Sequence, residues 1–265
     1  MRLSSLYLYP MKSCAPLPCT EAAVEPRGLA HDRRWMVVDD DGRFLTGRQL
    51  ATMVRIQARP APDGGLVLAA DAGTPLHVPV PGAGERISVT VWDSTVDARP
   101  AGAAADAWLS GVLGRAVRLV HMDGGARRAV SEKYAQPGDE VSFADGFPLL
   151  LISQAALDHL NAKLPRPVAM TRFRPNLVVD GTAAHAEDGW RRIRIGAVEF
   201  DVVKPCTRCV FTTVDPERGE RDASGEPLRT LLTYRRTPKG VTFGQNLIPR
   251  GTGTLRLGDP VTVLA

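Results

Sequence analysis

Short runs of alternating apolar and polar residues, separated by turns rich in Gly, Pro and Asp, dominate this 265-residue sequence. The N-terminal "MRLSSLYLYPMKSC" alternates in this way, and "RISVTVWD" places Ile87, Val89 and Val91 on one face. A period of two is typical of half-buried β-strands. The sequence therefore predicts an α+β chain that is mostly β and has few helices.

Turn signals divide the strands into two groups. "RWMVVDDDGRFLT" predicts a hairpin that turns at Asp41-Gly42, and residues 58–86 hold so much Gly and Pro that only short strands and loops fit there. "PNLVVDG", "IRIGAVEFDVV" and "GTLRLGDPVTVLA" predict strands in the second half, the last with a turn at Gly258-Asp259-Pro260. We expect a first domain over residues 1–119 and a second over residues 120–265.

Two segments have helical patterns, and one long segment has none. Residues 101–115 place Trp108, Leu109 and Leu113 on roughly one face, and Ser153 is suited to cap a helix over "SQAALDHLNAKL". Residues 122–148 are polar and hold Gly and Pro, which predicts a long surface loop. Loops of that length within a compact domain are often functional.

Composition narrows the class of protein. The net charge is +4, but the arginines are spread along the chain and no basic block interleaves with aromatic residues, so we expect no nucleic-acid partner and favour a local pocket for a small anion. No apolar run approaches the ~18 residues of a membrane span, and the N-terminus does not read as a signal peptide. With few cysteines, a soluble cytoplasmic protein is predicted. P-loop, zincin, α/β-hydrolase and dinucleotide-binding motifs are absent from the sequence.

The pair in "CTRC", Cys206 and Cys209, is open to several interpretations. A structural zinc site would need Cys14 and Cys19 to converge on it from the first half. A thioredoxin-like redox pair is usually followed by a helix, whereas "VFTTVDPERGE" predicts a strand and a turn. Both hypotheses are therefore weak. Two partly buried thiols without a function remain a credible alternative to a single thiolate ligand.

Several separated motifs together resemble the MOSC family of molybdenum-cofactor proteins, in particular its amidoxime-reducing branch. "CTRCVFTTVDPERGE", "TRFRPN" and "FGQNL" are similar to the MOSC domain, and "LYLYPMKSC" and "HDRRWMVVD" resemble the N-terminal MOSC β domain. The resemblance implies a MOSC β-barrel domain preceded by a MOSC N-terminal β-barrel-like domain. The family as a whole also carries an association with pyridoxal phosphate binding.

The resemblance also implies a site for the molybdenum cofactor, a molybdopterin with Mo. Cys209 matches the metal ligand and is the implied catalytic residue, since a soft thiolate suits such a metal. Cys206 is then a neighbour without an assigned role, and Asp215 is better explained as an Asx-Pro turn former than as an organiser of the Cys209 loop. The implied cofactor-binding residues are Lys12, Ser13, Arg33, Asp145, Gly146, Arg174 and Asn176.

The implied activity is a molybdenum-dependent reduction of N-hydroxylated small molecules: amidoximes, hydroxylamines or N-hydroxylated bases. The sequence has neither the iron-sulfur segment of some bacterial relatives nor the N-terminal anchor of the mitochondrial ones, so we expect a separate electron-donor protein of the flavin reductase, ferredoxin or cytochrome type. One alternative is a cofactor carrier or sulfur-transfer module that uses Cys209 without reductase activity. Another is a module that has lost its cofactor, against which the full set of Arg and Asn residues argues.

Overall fold

The structure is a computed structural model that describes residues 1–71 and 73–265. The strands of the first half are β1 (Arg2–Leu8), β2 (Leu17–Cys19), β3 (Glu21–Glu25), β4 (Gly28–Leu29), β5 (Trp35–Val38), β6 (Gln57–Pro60), β7 (Leu66–Ala69), β8 (Leu76–Val78), β9 (Ile87–Val91), β10 (Ser94–Pro100) and β11 (Arg118–His121). Those of the second half are β12 (Leu149–Ser153), β13 (Leu177–Asp180), β14 (Arg192–Ile195), β15 (Val198–Thr207), β16 (Val214–Asp215), β17 (Glu220–Arg221), β18 (Arg236–Thr237), β19 (Gly240–Pro249), β20 (Gly253–Arg256) and β21 (Val261–Val263). The α-helices are α1 (Ala103–Leu113), α2 (Gln154–Asn161) and α3 (Leu228–Tyr234).

This content confirms the predicted fold class, which is mostly β with few helices. Helix α1 lies within the predicted segment, and Leu109 and Leu113 are buried on its inner face. Helix α2 begins as expected, because Ser153 Oγ accepts a hydrogen bond from Ala156 N at 3.2 Å. None of the helices in the described ranges is long and apolar enough to cross a membrane.

The N-terminal strand joins the largest sheet. That sheet has the order β2-β1-β13-β12-β19-β15-β14-β21, with β18 paired to β19. Strand β1 lies antiparallel to β13 with Leu6 opposite Leu177, so two strands from the start of the chain complete a sheet otherwise built after residue 148. The residues that follow β1 therefore lie beside those that precede β13.

The other strands of the first half form smaller sheets around their own core. Their orders are β5-β11-β10-β9 and β6-β7-β8, while in a third sheet β3 lies between β4 and β20, a strand from the far end of the chain. Trp35, Met53 and Leu109 belong to this core, and Leu6 and Phe200 belong to the core under the large sheet. Because burial of such side chains is the main driving force for folding, the two cores fix the segment after β1 from both sides.

The segment 122–148 is a loop without a helix or a named strand, as predicted, and residues 131–133 and 136–138 are exposed, but other parts of it are buried and do not lie on the surface. Val130, Val141 and Phe143 are buried, and Phe143 is completely inaccessible. Arg128 lies inside the segment and donates to the carbonyls of Ser142 and Asp145, both at 2.9 Å. An internal guanidinium therefore satisfies backbone carbonyls that water would otherwise solvate, and this lets a polar segment pack.

Two local predictions need adjustment. The turn at Gly42 is present, with a backbone φ of +74°, but the returning strand is reduced to a single bridge between Val38 and Phe44. After Cys209 the chain forms a 3₁₀ helix at Val210–Thr213 before reaching β16, where a strand was expected. A one-turn helix has no apolar periodicity for a sequence pattern to detect.

Gly244, within β19, should be intolerant of a side chain. Its φ is +81°, and an added Cβ would lie 2.5 Å from Ile152 Cγ1 and 2.7 Å from Leu151 O. We expect Gly244→Ala to lower the free energy of unfolding by about 2–4 kcal/mol, measured by urea denaturation. The matched control is Gly251→Ala, whose Cβ would meet no atom within 4 Å. Equal denaturation midpoints for the two variants would contradict the prediction.

Candidate functional site

One cleft collects every residue that the sequence assigned to a site. Its empty space, the open mouth included, is about 830 Å³. The structure thus brings together residues separated by up to 197 positions in the sequence, although their roles remain predictions. The assigned residues that line the cleft are Lys12, Ser13, Arg33, Asp145, Gly146, Arg174, Asn176 and Cys209.

Strand order explains this convergence. Tyr7 N donates to Asn176 O at 2.9 Å, so the end of β1 is fixed to the start of β13. Strand β12 runs parallel to β13, and Asn176 N donates to Leu150 O at 2.9 Å. The loop before β12, which carries Asp145 and Gly146, therefore opens at the same end of the sheet.

Cys209 follows an irregular stretch of β15. The pairing of β15 with β19 shifts register between Val202 and Lys204 and again between Pro205 and Thr207. Such bulges are common beside active sites, because they redirect the side chains that follow. Cys209 is half-buried, its carbonyl accepts from Thr212, and no described residue donates a hydrogen bond to its thiol. The thiol is therefore available to a ligand.

Cys206 has a defined partner. Its sulfur accepts a hydrogen bond from Arg208 Nη1 at 2.9 Å, and Arg208 Nη2 donates to Phe173 O at 2.7 Å. This bridge ties the "CTRC" segment to the "RFRPN" turn. Cys206 and Cys209 are thus different in kind, one engaged through Arg208 and the other open to the cleft.

Two alternative interpretations of the cysteines, a disulfide and a zinc site, lose support. All four cysteines are free thiols, which excludes a disulfide in this structure. Cys14 is buried, and burial raises the pKa of its thiol, which disfavours the thiolate that a metal requires. Over residues 1–71 and 73–265 no group of three or more Cys, His, Asp or Glu side chains is arranged to hold a metal ion. Zinc at the Cys206 and Cys209 pair therefore has no structural basis.

The cleft is strongly cationic. Among the described lining residues, one carboxylate, that of Asp145, faces six cationic side chains. Such a surplus makes the cleft attractive to a phosphate or another multiply charged anion. The six cations are Lys12, Arg33, Arg48, Arg172, Arg174 and Arg208.

Arg174 carries a hydrogen-bond donor that the described part of the chain leaves unused. Its Nη1 donates to Cys14 O at 2.6 Å, but its Nη2 is buried and has no partner there. Burial lowers the pKa of Arg174, and repulsion by Arg33 acts in the same direction. An unsatisfied buried donor is costly in a folded protein, and the position of this one beside a cleft makes it a candidate donor to an anionic ligand.

Lys12 and Asp145 form an ion pair at the cleft wall. Lys12 Nζ donates to Asp145 Oδ1 at 2.6 Å and to Phe143 O at 2.7 Å, and Arg48 Nη2 lies 3.7 Å from Asp145 Oδ2. Burial lowers the pKa of Lys12 to about 8, although Asp145 opposes this shift. Desolvation raises the pKa of Asp145, but Lys12 and then Arg48 outweigh it and hold that pKa below the usual range. Both groups are therefore charged at neutral pH.

The side chain of Asn176 makes all its hydrogen bonds within the protein. Its Oδ1 accepts from Arg33 Nη1 at 3.0 Å and from Leu150 N at 3.3 Å, while its Nδ2 donates to Tyr7 O and Asp32 Oδ1. An amide has two donors and one acceptor oxygen, so this buried group is fully occupied. The geometry favours an indirect role for Asn176, through the position of Arg33.

Three of the assigned residues have a backbone conformation that costs energy. Ser13, Arg33 and Arg174 have φ values of +67°, +49° and +57°. Non-glycine residues rarely adopt this region, and such strain concentrates at functional sites. The strain is consistent with a wall shaped for a ligand.

Sequence reasoning left several residues of the cleft unassigned, among them three arginines and a phenylalanine. Arg172 and Arg208 lie inside motifs that were recognised, whereas Arg48 and Phe211 had no motif to mark them. Gly47 is matched to Phe211, since a Cβ on it would lie 2.2 Å from Phe211 Cε2. Only the tertiary structure places these side chains at the site.

Asp215 has the expected turn role and a second one. Its Oδ1 accepts from the backbone N–H groups of Glu217 and Arg218, which confirms the Asx-Pro turn. Its Oδ2 accepts from Arg172 Nη2 at 2.9 Å. Asp215 therefore also anchors a cation of the cleft to the segment after Cys209.

Comparison with known proteins identifies the family. The model of the MOSC N-terminal beta barrel domain matches residues 1–116, and that of the MOSC domain matches residues 138–262. The chain belongs to the MOSC family. Residues 117–137 lie outside both matches, so the predicted boundary at 119/120 stays a prediction.

Relatives that match over nearly the whole of this chain narrow the branch within the MOSC family. The chain is 36% identical over 280 residues to mitochondrial amidoxime-reducing component 1 of Mus musculus, covering 99% of this chain and 82% of that relative. It is 34% identical to the same component of Homo sapiens, covering 99% and 82%. Among solved structures, the YUAD protein from Bacillus subtilis is 11% identical, with 98% of this chain and 93% of that chain covered and a TM-score of 0.42.

The environment of Lys12 predicts its titration in this MOSC protein. We expect the ¹³Cε resonance of Lys12, assigned with Lys12→Arg, to titrate with a midpoint near pH 8, well below the 10.5 of an ordinary lysine. Because Asp145 raises this pKa, Asp145→Asn should lower the midpoint further. Lys239, which is exposed, is the internal control. A midpoint above 10 for Lys12 would contradict the dominance of burial, and an upward shift in Asp145→Asn would refute the ion-pair assignment.

Proposed function

We propose that this MOSC protein is a molybdenum-cofactor-dependent oxidoreductase that reduces N-hydroxylated small molecules: amidoximes, hydroxylamines or N-hydroxylated bases. The observation that carries the proposal is the free Cys209 thiol in the same cleft as the cationic side chains. Relatives named amidoxime-reducing component, similar over nearly the whole chain, support the reaction class.

The donor set fits the cofactor. A molybdopterin offers a terminal phosphate and a metal that accepts a soft thiolate, and the cleft offers cations and a free thiol to match. The unused Nη2 of Arg174 is a donor suited to a phosphate oxygen. When bound, the cofactor would supply the two-electron chemistry of N–O bond reduction.

The proposal gives roles to the assigned residues of the cleft and to two others. Cys209 would provide the protein ligand to the metal. Lys12, Ser13, Arg33 and Arg174 would hold the phosphate end, with the Lys12 ammonium still protonated at pH 7 because its pKa is about 8. Five further residues of the cleft would shape and support the pocket: Asp145, Gly146, Asn176, Arg208 and Phe211.

We also propose a redox partner and a cellular location for the protein. Electrons would come from a separate donor protein of the flavin reductase, ferredoxin or cytochrome type. We propose a cytoplasmic location for this chain, whereas the relatives are named as mitochondrial proteins. Fluorescence microscopy of the tagged protein in the native host, with cells that express the untagged protein as the background control, would test the location.

A cofactor carrier or sulfur-transfer module is the second candidate, because the same free thiol at Cys209 could carry sulfur as a persulfide. Both candidates bind the cofactor, so metal content alone does not separate them. Turnover does: a carrier would hold molybdenum without reducing substrate.

One prediction of the proposed function concerns the cysteine pair. Protein from a cofactor-producing host should contain molybdenum by elemental analysis and should reduce benzamidoxime with an artificial electron donor. Cys209→Ala should abolish turnover. Cys206→Ala should retain part of it, because Arg208 keeps its bond to Phe173 O, and Cys206→Ser should retain more, since a hydroxyl can still accept from Arg208.

Three results would count against the proposal. Absence of both metal and turnover in wild-type protein would exclude the reductase, and metal without turnover would favour the carrier. Equal loss from the Cys206 and Cys209 variants would show that the pair acts as a unit.

A further prediction concerns the phosphate end. Arg174→Ala should lower the molybdenum retained after gel filtration by about tenfold, the effect of losing one strong charge-assisted contact. The control is Arg166→Ala, a largely exposed arginine outside the cleft. Unchanged retention in Arg174→Ala would remove this residue from the phosphate site.

A further inference from the structure

Two arginines of the cleft lie against one buried tyrosine ring. The guanidinium carbons of Arg33 and Arg174 are each 4.2 Å from the centroid of the Tyr9 ring. Tyr9 is fully buried, and its hydroxyl donates to Pro175 O at 3.2 Å. Because the face of an aromatic ring attracts cations, Tyr9 can hold both guanidinium groups in spite of their mutual repulsion.

A buried carboxylate completes this arrangement. Asp32 is inaccessible to solvent, and its Oδ2 accepts from Arg33 Nη1 at 2.6 Å. Its Oδ1 accepts from Tyr9 N at 2.9 Å and from Asn176 Nδ2 at 3.1 Å. Asp32 therefore links the arginine, the strand end that carries the tyrosine, and the amide that also contacts Arg33.

We propose that Asp32 and Tyr9 are positioning residues that hold Arg33 and Arg174 in their binding geometry before any ligand arrives, and that the ligand they prepare for carries a phosphate. Neither residue is among the described residues that line the cleft, so both act through the arginines. The inference rests on the proposed function only in taking the cleft to bind an anionic group.

Pre-organisation of this kind has a measurable consequence. A long arginine side chain loses rotamer freedom when it binds, and a site that has already fixed it avoids that cost at the moment of binding. Arg33 is tied by its Nη1 to Asp32 and Asn176 and by its Nη2 to Arg174 O at 3.2 Å. The affinity for phosphate should therefore depend on residues that never touch it.

Asp32→Asn separates positioning from simple electrostatics. If only charge mattered, removal of a carboxylate near a cationic cleft would tighten phosphate binding. An asparagine at this position cannot satisfy its surroundings, however, because Oδ1 faces two donors and Oδ2 faces the Arg33 guanidinium. In either orientation the amide nitrogen would meet a donor, so Arg33 would lose its support and binding should weaken.

Variants of Tyr9 test the ring independently. Tyr9→Phe keeps the ring and loses only the bond to Pro175 O, so phosphate affinity should stay within about twofold of wild type. Tyr9→Leu removes the ring and should weaken phosphate binding by about tenfold, in line with two cation–π contacts. Phe200→Leu, a similar truncation in the core under the large sheet, is the control for loss of stability alone.

The experiment titrates inorganic phosphate into the cofactor-free protein at constant pH and constant ionic strength set with chloride. Affinity is read by calorimetry and by the rise of the unfolding temperature, which still works for a destabilised variant. We expect weaker binding by about tenfold in Asp32→Asn and Tyr9→Leu, and near wild-type binding in Tyr9→Phe and Phe200→Leu.

Three outcomes would overturn the proposal: tighter binding in Asp32→Asn, unchanged binding in Tyr9→Leu, or no phosphate binding by the wild type. The proposed function has a separate readout, since it stands or falls on molybdenum content and benzamidoxime turnover of the loaded wild type. A protein that reduces benzamidoxime but shows unaltered phosphate affinity in both variants would retain its function and lose the positioning residues.

Discussion

The antiparallel pairing of β1 with β13 is the constraint on which the site depends. Without it, the segment after β1 and the turn before β13 would belong to separate halves of the chain, with 160 residues between Cys14 and the Arg174 that donates to its carbonyl. Burial specifies the pairing: Leu3 and Leu6 of β1, with a register irregularity between Leu3 and Ser5, lie in one core with Leu177 and Val179 of β13. A one-residue slip of β1 would take these leucines out of that core, so burial fixes the register, and the register fixes the cleft.

Cationic residues brought together by this register repel one another, and the structure contains specific means to offset the repulsion. Asp145 pairs with Lys12 and stands near Arg48, Asp32 pairs with Arg33, and Asp215 pairs with Arg172. Arg174 has an aromatic face and backbone carbonyl contacts but no carboxylate partner within the described ranges. Arg208 likewise has no carboxylate partner there, so the compensation is incomplete at two cations that line the cleft, an arrangement that suits an anionic ligand.

Sequence patterns anticipated the strands and the motifs better than the packing between them. Alternation predicted β9 and β15 because a half-buried strand must alternate, and Ser153 predicted the start of α2 because its hydroxyl satisfies an otherwise free N–H. The buried parts of the loop 122–148 were not anticipated, because the role of Arg128 depends on carbonyls that only the fold brings to it. Arg48 and Asp32 were missed for the same reason: an isolated charge in a sequence carries no signal of what it will face.

The two cysteines show how structure divides a symmetric motif. In sequence, Cys206 and Cys209 differ only in position, and resemblance alone distinguished them. In the structure the two cysteines follow register shifts of β15 and have different surroundings. Cys206 accepts a hydrogen bond from Arg208, which also donates to Phe173 O in the turn before Arg174. Cys209 caps the 3₁₀ helix, and its thiol has no donor among the described residues. A sulfur atom can accept a hydrogen bond while it binds a metal, so Arg208 does not bar Cys206 from coordination; of the pair, only the Cys209 thiol lacks a donor among the described residues. This difference in hydrogen bonding is present in the structure itself, independently of any relative.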